Sequence, residues 1–259
     1  MICKDQLNRV IHIDDTPKRI VSLVPSQTEL LVDLGLESSI VGITKFCIHP
    51  KYLRKEKTVV GGTKQVSFEK IKALNPDIIL CNKEENTKEM LIELEDIASV
   101  HMSDIYNVKD TLALISMYGE LFSVERKADL LIWDIKNQYQ EFQNYIHTKP
   151  ILKVAYFIWK KPWMVAAKHT FIDALLTLNN FENTFDTLER YPEVDLDIIN
   201  RNVDIIMLSS EPYPFKDKDI DELRMQFLNT KIMLVDGEFF SWYGSRLKKA
   251  FKYFKTLHE

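Results

Sequence analysis

The stretch VERKADLLIWDIKNQYQEFQNYIH, residues 124–147, decides the fold class because it predicts one long amphipathic helix near the middle of the chain. Its apolar side chains recur at spacings of three and four residues, with mostly polar and charged residues between them. The stretch contains neither Gly nor Pro, and a helix of about 24 residues is roughly 36 Å long, about the length of a small domain. We therefore expect it to connect two lobes as a rigid strut.

Predicted strands and helices alternate on both sides of this helix, an order that is typical of parallel sheets with helices on their faces. The first buried strand, residues 19–25, runs straight into Ser26-Gln-Thr-Glu29, which we interpret as a capping box. The helix that follows should end at Gly35, because Gly is a usual helix terminator. Beyond Pro150 the same alternation begins again.

The predicted fold class is therefore α/β, with two similar α/β lobes that have central, mostly parallel sheets and are joined by one long backbone helix. The expected boundaries are 1–122 for the N-terminal α/β lobe, 123–148 for the linking helix and 149–259 for the C-terminal α/β lobe. A chain of 259 residues is long enough for each lobe to bury a core of its own.

Composition excludes several classes of function. Hydrophobic residues make up 46% of the chain and charged residues 28%, which is the balance of a globular protein. The formal net charge of −4 and the lack of a basic stripe argue against nucleic acid as a partner. No apolar run approaches the roughly 20 residues that a membrane-spanning helix requires.

The sequence carries no motif that predicts catalysis. Its seven Gly residues form neither G-x-G-x-x-G nor a P-loop, and neither G-x-S-x-G nor H-E-x-x-H occurs. We therefore predict a protein that is not an enzyme and has no intrinsic cofactor. Cys47 and His49 could supply two metal ligands, but a loop cysteine packed under the lobe is the alternative interpretation.

The segments after predicted strand ends are unusually rich in aromatic and cationic residues. Ligands of open α/β sheets bind outside the carboxyl ends of the strands, where most of these segments fall. Aromatic rings give large flat contact areas, and Lys and Arg complement anionic groups, so this lining suits a planar or bulky anionic chelate. Packing in a lobe core is the other interpretation of each aromatic residue. The candidates are Phe46, Lys83, Trp159, Trp163, Arg190, Tyr191, Tyr213, Glu238, Trp242, Tyr243 and Arg246.

Several motifs together resemble those of class III, or helical-backbone, periplasmic substrate-binding proteins, which serve ABC importers for vitamin B12, ferric siderophores and haem. The first is Lys18-Arg-Ile-Val-Ser-Leu-Val-Pro-Ser-Gln-Thr-Glu-Leu30. Gly61-Gly62 and Phe68-Glu-Lys-Ile-Lys-Ala-Leu-Asn-Pro-Asp-Ile-Ile-Leu80 follow it, and Trp242-Tyr243-Gly244-Ser245-Arg246 comes near the end. The likeness covers nearly the whole chain, with the motifs in the expected order.

This resemblance implies that the ligand binds in a cleft between the two lobes. By position it implies ligand contacts near Phe46, Lys64, Asn82, Ile158 or Trp159, Tyr191 and Trp242. Family members dock onto arginines of the membrane permease through one acidic residue on each lobe, and the matching positions here are Glu69 and, one place out of register, Asp197.

The function that follows from the resemblance is a receptor that captures cobalamin, a ferric siderophore or haem and delivers it to an ABC importer permease. We expect a monomer in the periplasm or cell envelope, although the first residues do not resemble a signal peptide, so a cytoplasmic location stays open. The alternatives are a cytosolic chelate-binding protein and a chelatase-like cofactor enzyme.

Overall fold

The computed structural model describes residues 2–199 and 203–259, which form two compact units. The first unit comprises Met1–Lys136 and Trp242–Lys248, and the second comprises Asn137–Ser241 and Lys249–Glu259. The segment Trp242–Lys248 thus belongs to the first unit, although the sequence boundaries place it in the C-terminal lobe. The division of the chain into residues 1–122, 123–148 and 149–259 stays a prediction.

A parallel sheet of five strands forms the centre of the first unit. A small antiparallel pair, β1 (Ile2–Lys4) and β2 (Val10–His12), precedes it. The strands of the main sheet are β3 (Ile20–Ser22), β4 (Ile40–Thr44), β5 (Thr58–Gly61), β6 (Ile78–Asn82) and β7 (Ser99–Ser103). Their spatial order is β5-β4-β3-β6-β7, and every neighbouring pair is parallel. Since both faces of such a sheet are covered, β6 is buried along its whole length.

Four helices of the first unit lie between the strands of the main sheet in the chain, and a fifth follows β7. They are α1 (Pro25–Asp33), α2 (Leu53–Glu56), α3 (Phe68–Ala73), α4 (Lys88–Glu95) and α5 (Val108–Leu121), with a 3-10 turn at Glu37–Ser39. Ser67, Thr87 and Asn107 cap α3, α4 and α5 with side-chain oxygens, so local capping sets where these helices begin.

The start of α1 differs from the sequence interpretation. Its N-cap is Val24, which provides no side-chain cap, and Pro25 occupies the first turn, where its fixed φ suits a helix. Ser26 and Glu29 therefore lie inside the helix, and the predicted capping box is wrong. The predicted end is confirmed, because the helix stops at Asp33 and Gly35 has a φ of +75°, in the left-handed region.

The long helix, α6, runs from Glu125 to Ile146, which confirms the helix predicted from the apolar spacing. Its residues up to Lys136 belong to the first unit and those from Asn137 to the second. Ala128 and Ile135 are buried in its first part, and Phe142 packs against Phe251 and Phe254 in its second part.

The second unit repeats the plan with fewer parallel strands. Its strands are β8 (Leu152–Trp159), β9 (Met164–Val165), β10 (Phe181–Asn183), β11 (Ile205–Ser209) and β12 (Lys231–Val235). The parallel order is β10-β8-β11-β12, and β9 pairs antiparallel with β8. Its helices are α7 (Phe171–Leu178), α8 (Asp217–Arg224), α9 (Glu238–Ser241) and, from Lys249 onward, α10 (Leu247–Thr256).

The sequence also predicts a short helix near Leu196 to Asn200, where the structure has a 3-10 turn at Leu196–Ile198. Asn200 itself lies outside the described residues. Among the helices that the structure describes, none combines the length and the apolar character needed to cross a bilayer.

Candidate functional site

Three candidate residues of the first unit follow the carboxyl ends of strands of one parallel sheet: Phe46 after β4, Lys64 after β5 and Lys83 after β6. Phe46 is 48% exposed, and the Lys45 ammonium lies 5.0 Å from the centroid of its ring. The two lysines have partners of their own. Lys64 donates to the carbonyl of Glu84, and the Lys83 ammonium donates to Asp104 over 2.8 Å. Phe46 is thus the exposed aromatic surface at this edge.

The segment Trp242–Lys248 adds a buried charge pair to the first unit. The guanidinium of Arg246 donates twice to the Glu29 carboxylate, from Nε over 2.8 Å and from Nη2 over 3.0 Å. Burial raises the pKa of the Glu29 carboxyl, and the guanidinium offsets part of that rise. Gly244 turns the segment toward α1 with a φ of +95°, a conformation that favours Gly. Sequence reasoning missed the pair, since Glu29 appeared only as a capping residue.

Tyr243 belongs to a buried polar network in the same unit. Gln27 Nε2 donates to the Tyr243 hydroxyl over 3.0 Å and to Ser103 Oγ over 2.6 Å. The Tyr118 hydroxyl donates to Gln27 Oε1 over 2.6 Å. Hydrogen bonds in a buried network fix their members in one arrangement, so the network holds Tyr243 against α1 and the ends of β6 and β7.

In the second unit, four aromatic residues form a continuous row that begins at the last residue of β8 and includes residues after the ends of β8 and β11. The Trp159 ring meets the edge of Tyr213 with centroids 5.6 Å apart, and Tyr213 meets Phe215 at 4.7 Å. Phe215 in turn stacks on Trp163 at 5.9 Å, with an interplanar angle of 10°. We call Trp159, Tyr213, Phe215 and Trp163 the aromatic row. Phe215 is buried in the unit's core, whereas Trp159 is 39% exposed.

A buried lysine, Lys160, contacts one ring of the aromatic row. The Lys160 ammonium donates to Asp219 over 2.7 Å and to Glu222 over 2.6 Å, and it lies 5.4 Å from the centroid of the Trp163 ring. Burial lowers the pKa of Lys160, but the hydrogen bonds to the two carboxylates outweigh that effect and raise it. Sequence reasoning missed Lys160 as an individual residue; a Lys directly after a strand that ends in Trp was the available signal.

The remaining candidates of the second unit lie in its loops and at a short helix. Arg190 has a φ of +63° and donates from Nη1 to the carbonyl of His169, and its guanidinium lies 5.9 Å from the Tyr191 ring centroid. Glu238 begins α9, and its backbone N–H donates to Asp236 over 3.1 Å. All three residues are half-buried.

The two candidate metal ligands have different surroundings. Cys47 is fully buried, with its Sγ 3.1 Å from Thr28 Oγ1 and 3.3 Å from Thr44 Oγ1. Burial raises the pKa of the Cys47 thiol, which disfavours the thiolate that metals bind. The His49 ring packs edge-on against Trp242, with centroids 5.3 Å apart. Over residues 2–199 and 203–259, no group of three or more His, Cys, Asp or Glu side chains suits a metal ion.

The two acidic residues predicted to dock onto a permease are both exposed. Glu69 lies in the first turn of α3, two residues after the cap at Ser67. Asp197 lies in the 3-10 turn of the second unit. Their roles stay predictions.

A comparison with known proteins decides the family. Residues 20–231, most of the chain, match the family described as periplasmic binding protein. The chain belongs to this family. Its members are substrate-binding proteins of transport systems and not enzymes, and this agrees with the class of function expected from the sequence.

The alignments with individual relatives extend over different fractions of this chain. An uncharacterized ABC transporter substrate-binding lipoprotein of Bacillus subtilis, YvrC, is 32% identical over 143 residues, which are 54% of this chain and 45% of that protein. The vitamin B12-binding protein of Pectobacterium atrosepticum is 24% identical over 243 residues, 90% of this chain and 86% of the relative.

A solved structure supports the fold over nearly the full length. It is the crystal structure of a possible iron-binding (periplasmic solute-binding) protein from Staphylococcus epidermidis. It matches with a TM-score of 0.78 at 25% identity and covers 95% of this chain and 100% of its own. The α/β fold with parallel sheets that the sequence predicts is therefore confirmed by the likeness as well as by the sheets themselves.

Proposed function

We propose that this protein is the substrate-binding receptor of an ABC-type importer and that its substrate is a metal chelate, namely cobalamin, a ferric siderophore or haem. The observation that carries the proposal is the aromatic row of the second unit, which follows the carboxyl ends of two strands and ends at the exposed ring of Trp159. The relatives named for vitamin B12 and iron support this ligand class.

The physical argument rests on the shape and charge of the side chains at the strand ends. Flat rings give large contact areas at a small cost in side-chain entropy, which suits a bulky, rigid chelate. Phe46 offers a second exposed ring in the first unit. By contrast, Lys64, Lys83, Lys160 and Arg246 already contact oxygen atoms of the protein. Contact with aromatic rings, more than ion pairing, is therefore the interaction that we expect to dominate ligand binding.

Delivery to a permease is the second part of the proposal. We propose that Glu69 and Asp197, one exposed carboxylate in each unit, dock onto cationic residues of the importer, and that the protein acts in the cell envelope. The relationship to an ABC transporter lipoprotein supports this partner class. Exposed charges chiefly affect association rate and specificity, so the Glu69→Ala variant should retain ligand affinity and lose transport.

The experiment that tests the proposal is a tryptophan-fluorescence titration of the purified protein against cyanocobalamin, haem and a panel of ferric siderophores, corrected for light absorbed by each chelate. We expect saturable quenching by one of these classes, because the row contains two of the four tryptophans. Metal-free siderophores and simple iron and cobalt salts are the controls and should not compete. A lack of saturable response to the whole panel would refute a chelate as the substrate.

A further inference from the structure

The guanidinium of Arg246 is already bound to a carboxylate of the first unit, whereas the sequence suggests that it binds an anionic ligand. The Arg246 side chain is 8% exposed and that of Glu29 is 11% exposed. Two parallel hydrogen bonds match the planar fork of the guanidinium to the carboxylate, which is the strongest arrangement that this pair can adopt. An anionic ligand group would have to compete with an intramolecular carboxylate that is already in place.

The same guanidinium contacts the indole of Trp242. Its Cζ lies 4.7 Å from the centroid of that ring, within the range of a cation–π contact. The edge of His49 packs against this indole as well, with centroids 5.3 Å apart. Glu29, Arg246, Trp242 and His49 therefore form one chain of contacts, which starts at α1 and ends at the loop after β4.

We propose that Arg246, held by Glu29, is a positioning residue that fixes the ring plane of Trp242 and does not itself bind the anionic groups of the ligand. The inference rests on the proposed function and adds to it one ligand contact, that of the chelate with the Trp242 indole, which is 7% exposed. Glu29 orients the guanidinium by its two hydrogen bonds, and the guanidinium orients the indole by lying over its face. Gly244, between Trp242 and Arg246 in the chain, has a left-handed φ of +95° and lies close to Leu30 of α1.

A neutral ligand and an anionic ligand together distinguish two roles of Arg246, the positioning of Trp242 and the direct binding of an anionic ligand group. If Arg246 acts through the indole, its loss weakens a neutral chelate and an anionic chelate by the same factor. If it instead binds an anionic group, its loss weakens only the anionic chelate. Loss of Glu29 separates the two roles further, since removal of the carboxylate would leave the guanidinium available to an anionic ligand and so strengthen direct binding.

The first test uses the protein without ligand, labelled with 5-fluorotryptophan and observed by 19F NMR. The Trp242 resonance is assigned with Trp242→Phe, and the conservative variants Arg246→Lys and Glu29→Gln are compared with the unaltered protein. We expect the Trp242 resonance to shift in both variants, while the resonance of Trp133, which is 63% exposed on α6, stays in place. Lys160→Arg, in the second unit, is the matched control and should leave Trp242 unchanged. An unmoved Trp242 resonance in both variants would overturn the proposal.

The second test measures binding of cyanocobalamin, which carries no net charge, and of haem, which carries two carboxylates. An aromatic contact of this kind accounts for roughly a two- to tenfold change in affinity. We expect Arg246→Lys and Glu29→Gln each to weaken whichever probe binds by that factor. Where both probes bind, weakening of haem alone by Arg246→Lys would overturn the positioning role, and where one probe binds, unchanged or tighter binding by Glu29→Gln would overturn it. If neither probe nor a siderophore binds, the proposed function fails, and the 19F spectra still decide the role of Arg246.

Discussion

The two units hold a tryptophan in the same way but with different exposure. In the first unit, Arg246 lies over Trp242 and is bonded to Glu29, and both members of that charge pair are buried. In the second unit, Lys160 lies over Trp163 and is bonded to Asp219, which is 1% exposed, and to Glu222, which is 48% exposed. The comparison teaches that each unit places a cation with a carboxylate partner over an aromatic ring, and that in the second unit one of the carboxylate partners, Glu222, is half exposed.

The largest effect is expected from Arg246→Met, because it leaves the Glu29 carboxylate buried and unpaired. Removing one partner of a buried charge pair typically costs about 3–5 kcal/mol of unfolding free energy. Urea unfolding followed by circular dichroism measures this loss. Arg224→Met is the matched control: Arg224 and Asp221 are both more than 60% exposed, so its cost should stay below about 1 kcal/mol. Equal losses of unfolding free energy in Arg246→Met and Arg224→Met would contradict the claim that the burial of the Arg246–Glu29 pair makes its disruption costly.

The next largest effect on the unfolding free energy is expected from the protonation of His101 in the first unit. Burial lowers the pKa of His101 to about 4, whereas an unfolded histidine titrates near 6.5. The unfolded state therefore binds a proton first as the pH falls, and the stability that neutral His101 contributes at neutral pH is lost between about pH 6.5 and pH 4. At roughly 1.4 kcal/mol for each pKa unit, the loss amounts to about 3 kcal/mol.

His101→Asn should accordingly flatten the decline in unfolding free energy between pH 7 and pH 4. The decline is measured as the urea midpoint at a series of pH values. His169→Asn is the control, since His169 is 61% exposed and pairs with Glu189 at the surface. A slope that His101→Asn leaves unaltered would show that other groups cause the acid sensitivity.

A smaller loss is expected from Lys160→Met in the second unit. Asp219 keeps a hydrogen bond from the backbone N–H of Lys216, and Glu222 is already in contact with water. We therefore expect a cost of about 1–3 kcal/mol, the range for one buried group that loses a partner. Urea unfolding of Lys160→Met and Arg246→Met under the same conditions gives the comparison directly. A greater loss of unfolding free energy in Lys160→Met than in Arg246→Met would contradict the order predicted from the exposure of their carboxylate partners.

Local sequence signals predicted most of the fold. The spacing of apolar residues in 124–147 predicted α6, and Gly35 marked the end of α1 correctly. Such features depend on neighbours in the chain, which a pattern can capture. The capping box failed because the helix starts at Pro25, two residues earlier than a cap at Ser26 predicts, which moves Ser26 and Glu29 into its body.

The contacts of the candidate site were harder to predict because they join distant segments. Glu29 and Arg246 are 217 residues apart, and no periodicity links them. Strand ends indicated where Phe46, Trp159 and Tyr213 would lie, but not which side chains would have internal partners. The sequence thus predicted the location of candidate residues well and their availability to a ligand poorly.

The central claim is that a metal chelate binds through the exposed aromatic rings, and equilibrium dialysis of the purified protein against cyanocobalamin, haem and ferric siderophores tests it most directly. Trp159→Ala and Trp133→Ala form a matched pair, since both rings are exposed but only Trp159 belongs to the aromatic row. We predict that one chelate is retained at one per chain and that Trp159→Ala alone weakens its binding by about tenfold. Retention of none, or equal weakening by both variants, would contradict the account.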